Sequence, residues 1–270
     1  MIKENMINYK ILNPSGNITA LVIDDYKVED YQKIANLIME NNSKIEQVGF
    51  LKKIDDKINK IEYKLDMSGL EFCGNATRAF GCYLYKEKYI KEKEFNILVS
   101  GFNKPIKTKV EIINDEYYSS IELEFNSKYE DLIENEILNG ENINIIKLPG
   151  ITHIMLDQDK FTFNENNCLT EAKEIINQLK LLDKEAVGVI WYKNNKINPI
   201  VWVKNINSLF YENACGSGSL AFGILFTYLN KGNEKINVIQ KNNESIEIGI
   251  YCANNYIKYA TIAGYTKFSI

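Results

Sequence analysis

Apolar and polar residues alternate through NKIEYKLDM, where Ile61, Tyr63, Leu65 and Met67 interleave with Glu62, Lys64 and Asp66. A period of two predicts a strand with one face in the core. SIELEF (residues 120–125) and ESIEIGI (244–250) follow the same pattern. A different spacing governs DYQKIANLIMEN (30–41) and LTEAKEIINQLKLL (169–182), whose apolar residues recur every three or four positions, as on one face of a surface helix. Each of these helices precedes a Val-Gly strand, EQVGFL (46–51) or EAVGVI (185–190). Two further segments, NATRAFGCYLY and GSLAFGILFTYL, carry between them one charge, Arg78, and predict helices buried on every side. The pattern as a whole is α+β, rich in sheet and sparing in helix.

The two buried helices begin alike. CGNATRAFG (73–81) and CGSGSLAFG (215–223) agree at the cysteine, the glycine after it, and the closing Ala-Phe-Gly. ITALVID (18–24) and ITHIMLD (151–157) echo each other in the same order along the chain, as do the two Val-Gly strands. Collinear echoes are the mark of an internal duplication. The boundary falls in the polar stretch SKYEDLIENEILNGENIN, which gives an N-terminal half, residues 1–135, carrying Cys73, and a C-terminal half, 136–270, carrying Cys215.

Composition limits the partners. At 270 residues, 45% hydrophobic and 25% charged, the chain is long enough for two domains of about 130 residues each. A net charge of −4 and a pI near 5.4 give no basic footprint for nucleic acid or an anionic membrane, so the expected partner is a small molecule. The opening residues lack the apolar core of a signal peptide, and no run approaches the roughly 18 apolar residues of a membrane span, so a cytoplasmic protein is expected. Its cysteines, Cys73, Cys82, Cys168, Cys215 and Cys252, are odd in number and unclustered, which reads as thiols in a reducing compartment.

A cysteine at the N-terminus of a buried helix has chemical meaning. The unsatisfied N–H groups and the positive end of the helix dipole favour a thiolate or a bound carboxylate there. Two such termini, related by a duplication and facing each other across the cleft between halves, offer a small anion one thiol from each side. Chemistry that needs acid/base groups on opposite faces of one carbon is inversion of a stereocentre. One thiolate removes the α-proton and the other thiol returns a proton to the opposite face. The pair exchanges protonation states with each turnover, which suits a reaction that runs both ways.

NPSGNITALVID, EQVGF, EFCGNATRAFG, ENACGSGSLAFG and YATIAGYTKF together resemble the cofactor-independent two-cysteine racemases and epimerases, the superfamily of diaminopimelate epimerase and proline racemase. The resemblance covers essentially the whole chain. It implies a duplicated diaminopimelate epimerase-like fold, with two similar halves, each a β-barrel-like sheet around a central buried helix. It also implies Cys73 and Cys215 as the acid/base pair, and backbone N–H groups of Gly74, Asn75, Gly216 and Ser217 as holders of the substrate α-carboxylate. No pyridoxal phosphate or metal is expected, and a homodimer is. Diaminopimelate epimerases usually carry an arginine before the second cysteine that grips the distal end of the substrate; NSLFYENACGSG has no arginine or lysine there. A second charged head would then lose its partner in a desolvated site. The variants NPSGN, EQVGF, EFCGNAT and ENACGSG resemble the histidine racemases, so interconversion of L- and D-histidine is the first expectation.

Other polar residues carry two readings each. His153, the only histidine, matches a family position near the pocket, and could orient substrate, tune a thiol, or be a hydrogen-bonded core residue. Asn17 and Gln47 match positions lining the site, the bland alternative being turn and strand-end bonding. Glu212 could bind the substrate ammonium or imidazolium, or simply sit near a helix N-terminus. Tyr211, Asn13 and Ser15 are further side-chain-pocket candidates, while Cys82, Cys168 and Cys252 read as small buried hydrophobes. The rival functions are diaminopimelate epimerisation, racemisation of another amino acid, amino-acid binding without catalysis, and thiol metal or redox chemistry. The last lacks C-x-x-C spacing and a second histidine.

Overall fold

A computed structural model describes residues 7–204, 207–232 and 234–268. The fold is α+β and divides into two compact units, Met1–Glu122 with Ala263–Ile270, and Leu123–Ile262.

In the first unit the chain runs β1 (Tyr9–Pro14), β2 (Thr19–Val22), α1 (Tyr31–Asn41), β3 (Gln47–Asp56), β4 (Ile61–Met67), α2 (Gly74–Lys86), β5 (Glu94–Val99), β6 (Phe102–Ile113) and β7 (Glu116–Lys128). Strands β1 and β2 are antiparallel, and β2 and β3 are parallel with α1 crossing between them. Next come an antiparallel β3–β4 pair, a parallel β4–β5 pair spanned by α2, and antiparallel β5–β6 and β6–β7 pairs. The second unit continues with α3 (Tyr129–Leu132), β8 (Ile133–Leu138), β9 (Glu141–Leu148), β10 (Ile151–Asp157), α4 (Cys168–Gln178), β11 (Ala186–Lys193), β12 (Lys196–Val203), β13 (Ser208–Tyr211), α5 (Gly216–Asn230), β14 (Glu234–Ile239), β15 (Ser245–Ala253) and β16 (Tyr256–Phe268). Its pairings follow the same order: antiparallel β9–β10, parallel β10–β11 across α4, antiparallel β11–β12, parallel β12–β14 across α5, antiparallel β14–β15. Strand β13 adds to β12, and β8 to β9. In the first unit the end of β16 pairs back onto β1, Leu12 opposite Phe268, and closes an eight-stranded sheet.

The hydrophobic patterns explain the elements. Helix α1 buries Tyr31, Ile34, Ala35 and Ile38, one stripe at helical spacing, against Ala20, Val22, Val48 and Phe50. Helix α4 buries Cys168, Ala172, Ile175 and Ile176 against Ile154, Leu156, Val187 and Val189. The alternating strands place Ile61, Tyr63, Leu65, Met67, Ile121, Leu123, Ile246, Ile248 and Ile250 in the core. Asp66 departs from that alternation: it is buried too, and its carboxylate takes Lys64 Nζ at 2.7 Å and the Tyr31 hydroxyl at 3.5 Å.

Helices α2 and α5 are buried on nearly every face through Leu84 and Leu225. Their small residues admit neighbouring strands. A Cβ on Gly81 would stand 2.4 Å from Thr108 Cγ2 of β6, and one on Gly223 would stand 2.5 Å from Ile248 Cγ2 of β15. The polar stretch 127–144 is no loose connection: it holds α3 and the β8–β9 hairpin, with Tyr129, Leu132, Ile133, Leu138 and Ile143 buried. It looks polar because the middle of β8, Glu134 to Ile137, faces solvent. Among the described residues, no helix is long and apolar enough to cross a membrane.

Candidate active-site residues

In the first unit the site is built at the start of α2. Cys73 is the N-cap residue, with φ −125° and ψ 108°, and its sulfur accepts the Ala76 N–H at 3.3 Å. Thr77 Oγ1 donates back to the Cys73 carbonyl at 2.6 Å, which fixes the first turn. The thiol donates to Gln47 Oε1 at 2.8 Å. Gln47 opens β3 opposite Thr19 of β2, and Asn17, just ahead of β2, donates from Nδ2 to Glu46 Oε2 at 2.9 Å. Asn13 Oδ1 accepts the Gly16 N–H at 2.7 Å and closes a turn in which Ser15 and Gly16 have φ of 58° and 101°. Ser15 Oγ accepts from Arg78 Nη2 at 2.8 Å, and the same nitrogen lies 3.4 Å from Asn75 Oδ1. Asn13, Ser15, Asn17, Gln47, Cys73, Gly74 and Asn75 are thus tied into one region through short polar links.

The second unit repeats the turn at the start of α5. Cys215 is the N-cap with φ −129° and ψ 107°, its sulfur accepts the Gly218 N–H at 3.4 Å, and Ser219 Oγ donates to its carbonyl at 2.7 Å. Ser217 Oγ stands 3.6 Å from the sulfur, one residue beyond Gly216. The surroundings differ from those of Cys73. Cys215 is 3% exposed and clusters with Ile151, Ala186 and Val201. Burial pushes its thiol well above the usual range, and the Glu212 carboxylate, hydrogen-bonded to it, pushes it further; Ser217 and the Gly218 N–H pull the other way more weakly. This thiol holds its proton at neutral pH.

His153 lies on β10 opposite Gly188 of β11, on the same strand face as Ile151 of the Cys215 cluster. It is fully buried, and neither ring nitrogen has a hydrogen-bond partner among the described residues. Burial brings its pKa from 6.5 down to about 3, so the imidazole is neutral. A Cβ on Gly188 would fall 2.1 Å from its Nδ1, so the ring occupies space that only glycine leaves open. Tyr211 is held elsewhere. Its ring packs on Phe163 and the α4-side core under Lys241 Nζ, and its hydroxyl donates to Asn198 Oδ1 at 2.7 Å.

Several further residues hold the two turns without having been candidates. Thr77 and Ser219 occupy the same place in the repeated stretch, four after each cysteine, and comparing the two copies would have found them. Glu46 and Arg78 lie within quoted segments without an evident role. Gln240 has no sequence signal: fully buried, it accepts the Cys215 N–H at 2.9 Å and donates to Ser219 Oγ and the Val238 carbonyl, each at 2.9 Å. Of the remaining cysteines, Cys82 and Cys168 are buried as expected, but Cys252 is only partly so, with its sulfur 2.9 Å from the Tyr129 hydroxyl. Its place near the end of β15, next to a turn, explains the exposure. Among the described residues, no three of His, Cys, Asp and Glu gather as a group able to hold a metal ion.

Comparison with known proteins gives the family of the chain. Residues 6–269 match the family described as "Histidine racemase CntK N-terminal domain". The chain is 31% identical over 255 residues to a histidine racemase of Fusobacterium nucleatum subsp. nucleatum, covering 89% of this chain and 88% of that one. It is 27% identical to a histidine racemase of Staphylococcus aureus, over 84% and 82% of the two chains. Among solved structures, a hydroxyproline epimerase from Agrobacterium vitis superposes with a TM-score of 0.68 at 10% identity, over 97% of this chain and 90% of that one, which shows the shared fold. With the family model spanning nearly the whole sequence and a relative above 30% identity across most of it, the chain belongs to the histidine racemase family, within the superfamily of diaminopimelate epimerase and proline racemase.

Proposed function

We propose that this chain interconverts L- and D-histidine without a cofactor, Cys73 and Cys215 acting as the two bases. The observation that carries the reading is the matched pair of cysteine N-caps, alike in backbone angles, in the N–H given to sulfur and in the hydroxyl that braces the turn. A thiolate takes the proton from Cα as the bond electrons pass to the carboxylate-stabilised carbanion. The other thiol then gives its proton to the opposite face, leaving its sulfur anionic and the first one protonated. Cys215, whose proton is held by burial and Glu212, is the acid of this pair in the resting state. Gln47 Oε1 accepts from the Cys73 thiol and fixes the direction of the sulfur.

The substrate carboxylate is assigned to the N–H groups of Gly74, Asn75, Gly216 and Ser217, where each helix terminus favours an anion. Asn17, with Asn13 and Ser15 in the adjoining turn, would line the first unit's part, and Glu212 would receive the ammonium group. His153, neutral and on the Cys215 face, would border the second unit's part, with Tyr211 farther out. The two units are read as halves of one duplication, with the sequence repeat dividing at 135/136 and a buried helix at the centre of each barrel-like sheet. The matching order of parallel and antiparallel pairings supports this. A homodimer is carried by the family resemblance, and a cytoplasmic place by the opening residues and the lack of a long apolar run in the sequence; a single-chain mass by light scattering would overturn the dimer.

The direct experiment is proton NMR of L-histidine in D₂O with reduced protein and no added cofactor, alongside circular dichroism, with LL-diaminopimelate in a parallel tube. The expected result is loss of the histidine α-proton with decay of optical activity, abolished by Cys73→Ser and by Cys215→Ser. Persistence of the histidine α-proton sinks the reading, and exchange with diaminopimelate alone moves the assignment to that substrate.

A further inference from the structure

Arg78 lies five residues after Cys73 on α2 and is completely buried. A side chain needed only to fill this space would be apolar, since burying a guanidinium is costly and the group keeps its charge in any protein environment. Its fork is instead aimed at particular oxygens. Nη1 donates to the Tyr265 carbonyl of β16 at 3.0 Å, while Nη2 reaches Ser15 Oγ at 2.8 Å and Asn75 Oδ1 at 3.4 Å. Asn75 follows Gly74 in the first turn of α2, and Ser15 belongs to the left-handed turn beside it. The opposing strand leaves room for this arrangement. A Cβ on Gly264 would stand 3.0 Å from Nη1 and 3.2 Å from both Cζ and Ser15 Oγ.

We infer that Arg78 is a positioning residue for the carboxylate end of the substrate, joining the Ser15 turn and Asn75 to β16 and placing a fixed positive charge beneath the anion-binding start of α2. The inference rests on the racemase reading for its natural ligand, but the anion preference it predicts is a property of the Cys73 turn alone. A guanidinium acts here both as a planar fork, which sets the geometry of two acceptors, and as a charge, which raises the potential where a carboxylate docks.

The test is the alkylation rate of Cys73, followed by peptide mass spectrometry, with iodoacetate and iodoacetamide compared at one pH. A changed thiol pKa moves both rates together, so their ratio isolates the preference for an anionic reagent. The iodoacetate to iodoacetamide ratio should fall at least fivefold in Arg78→Gln and by less in Arg78→Lys, which keeps the charge and loses the fork. In turnover with L-histidine, Arg78→Lys should raise KM more than it lowers kcat. If Arg78→Gln does not fold, Gly264→Ala displaces the guanidinium by a few tenths of an ångström and should lower the ratio about twofold. An unchanged ratio in folded Arg78→Gln, or in Gly264→Ala where that variant replaces it, overturns the inference. A wild-type protein inert toward histidine but showing the ratio effect would overturn only the substrate.

Discussion

The Cys73 and Cys215 turns are the same piece of backbone placed in two different environments. Their cap angles agree within a few degrees, each sulfur takes the N–H three residues on, and each carbonyl is braced by a hydroxyl four residues on. What differs is the company of the thiol. Cys73 is half-buried and meets the neutral Gln47, whereas Cys215 is almost wholly buried and meets the carboxylate of Glu212. Helix geometry alone therefore does not set the proton affinity of an N-cap cysteine; desolvation and one neighbouring charge outweigh it on the Cys215 side. The proposed two-base mechanism needs one protonated sulfur at the start of each turnover, and the surroundings of Cys215 favour that form.

The largest effect should come from attacking that contrast directly. With iodoacetamide at pH 7.5, Cys73 should be alkylated at least tenfold faster than Cys215, because Cys73 is only half-buried whereas Cys215 is 3% exposed and holds its proton through burial and Glu212. Glu212→Gln removes the charge that helps hold the Cys215 proton, so the Cys215 titration should move to lower pH and its alkylation at pH 7.5 should rise severalfold. Burial is the larger cause of the upward shift, so the gap should narrow without closing. Racemisation should fall in the same variant, since a more acidic thiol leaves a weaker base behind it. An unmoved Cys215 titration would mean that burial alone makes the two turns different.

Much of this was legible in the sequence, and the failures have particular causes. Period-two strands, the stripes of α1 and α4 and the two all-round apolar helices were readable because each buries a face whose spacing the chain must repeat. The cysteine turns were readable because a cap is local: sulfur, N–H and bracing hydroxyl lie within five consecutive residues. Gln240 was not, since it meets Cys215 only through the fold. The echo of ITALVID in ITHIMLD misleads by one residue. It sets His153 against Ala20, yet strand register puts His153 opposite Gly188 and Leu21 opposite Gly49, while Ala20 faces α1. A one-residue slip in a strand exchanges faces, so similar letters had hidden that the histidine stands at the register position a core leucine holds in the first unit.

That corrected register supplies the smallest and most discriminating prediction. In the first unit Leu21 is fully buried opposite Gly49; in the second, an imidazole with no hydrogen-bond partner among the described residues takes that place. Its pKa is about 3 when folded against 6.5 for the free group, so between those values the unfolded chain binds the extra proton and the native state does not. Stability from this site is complete above pH 6.5 and declines as the pH falls toward 3, by roughly 1 kcal/mol on going from pH 7.5 to pH 6. His153→Leu copies the arrangement of the first unit and removes the titrating group. Urea midpoints at pH 7.5 and pH 6 should therefore lie closer together in the variant than in the wild type. Equal displacement of the midpoint in both proteins would assign the acid sensitivity to other groups, and would leave His153 distinguished from Leu21 only by what it offers a bound substrate.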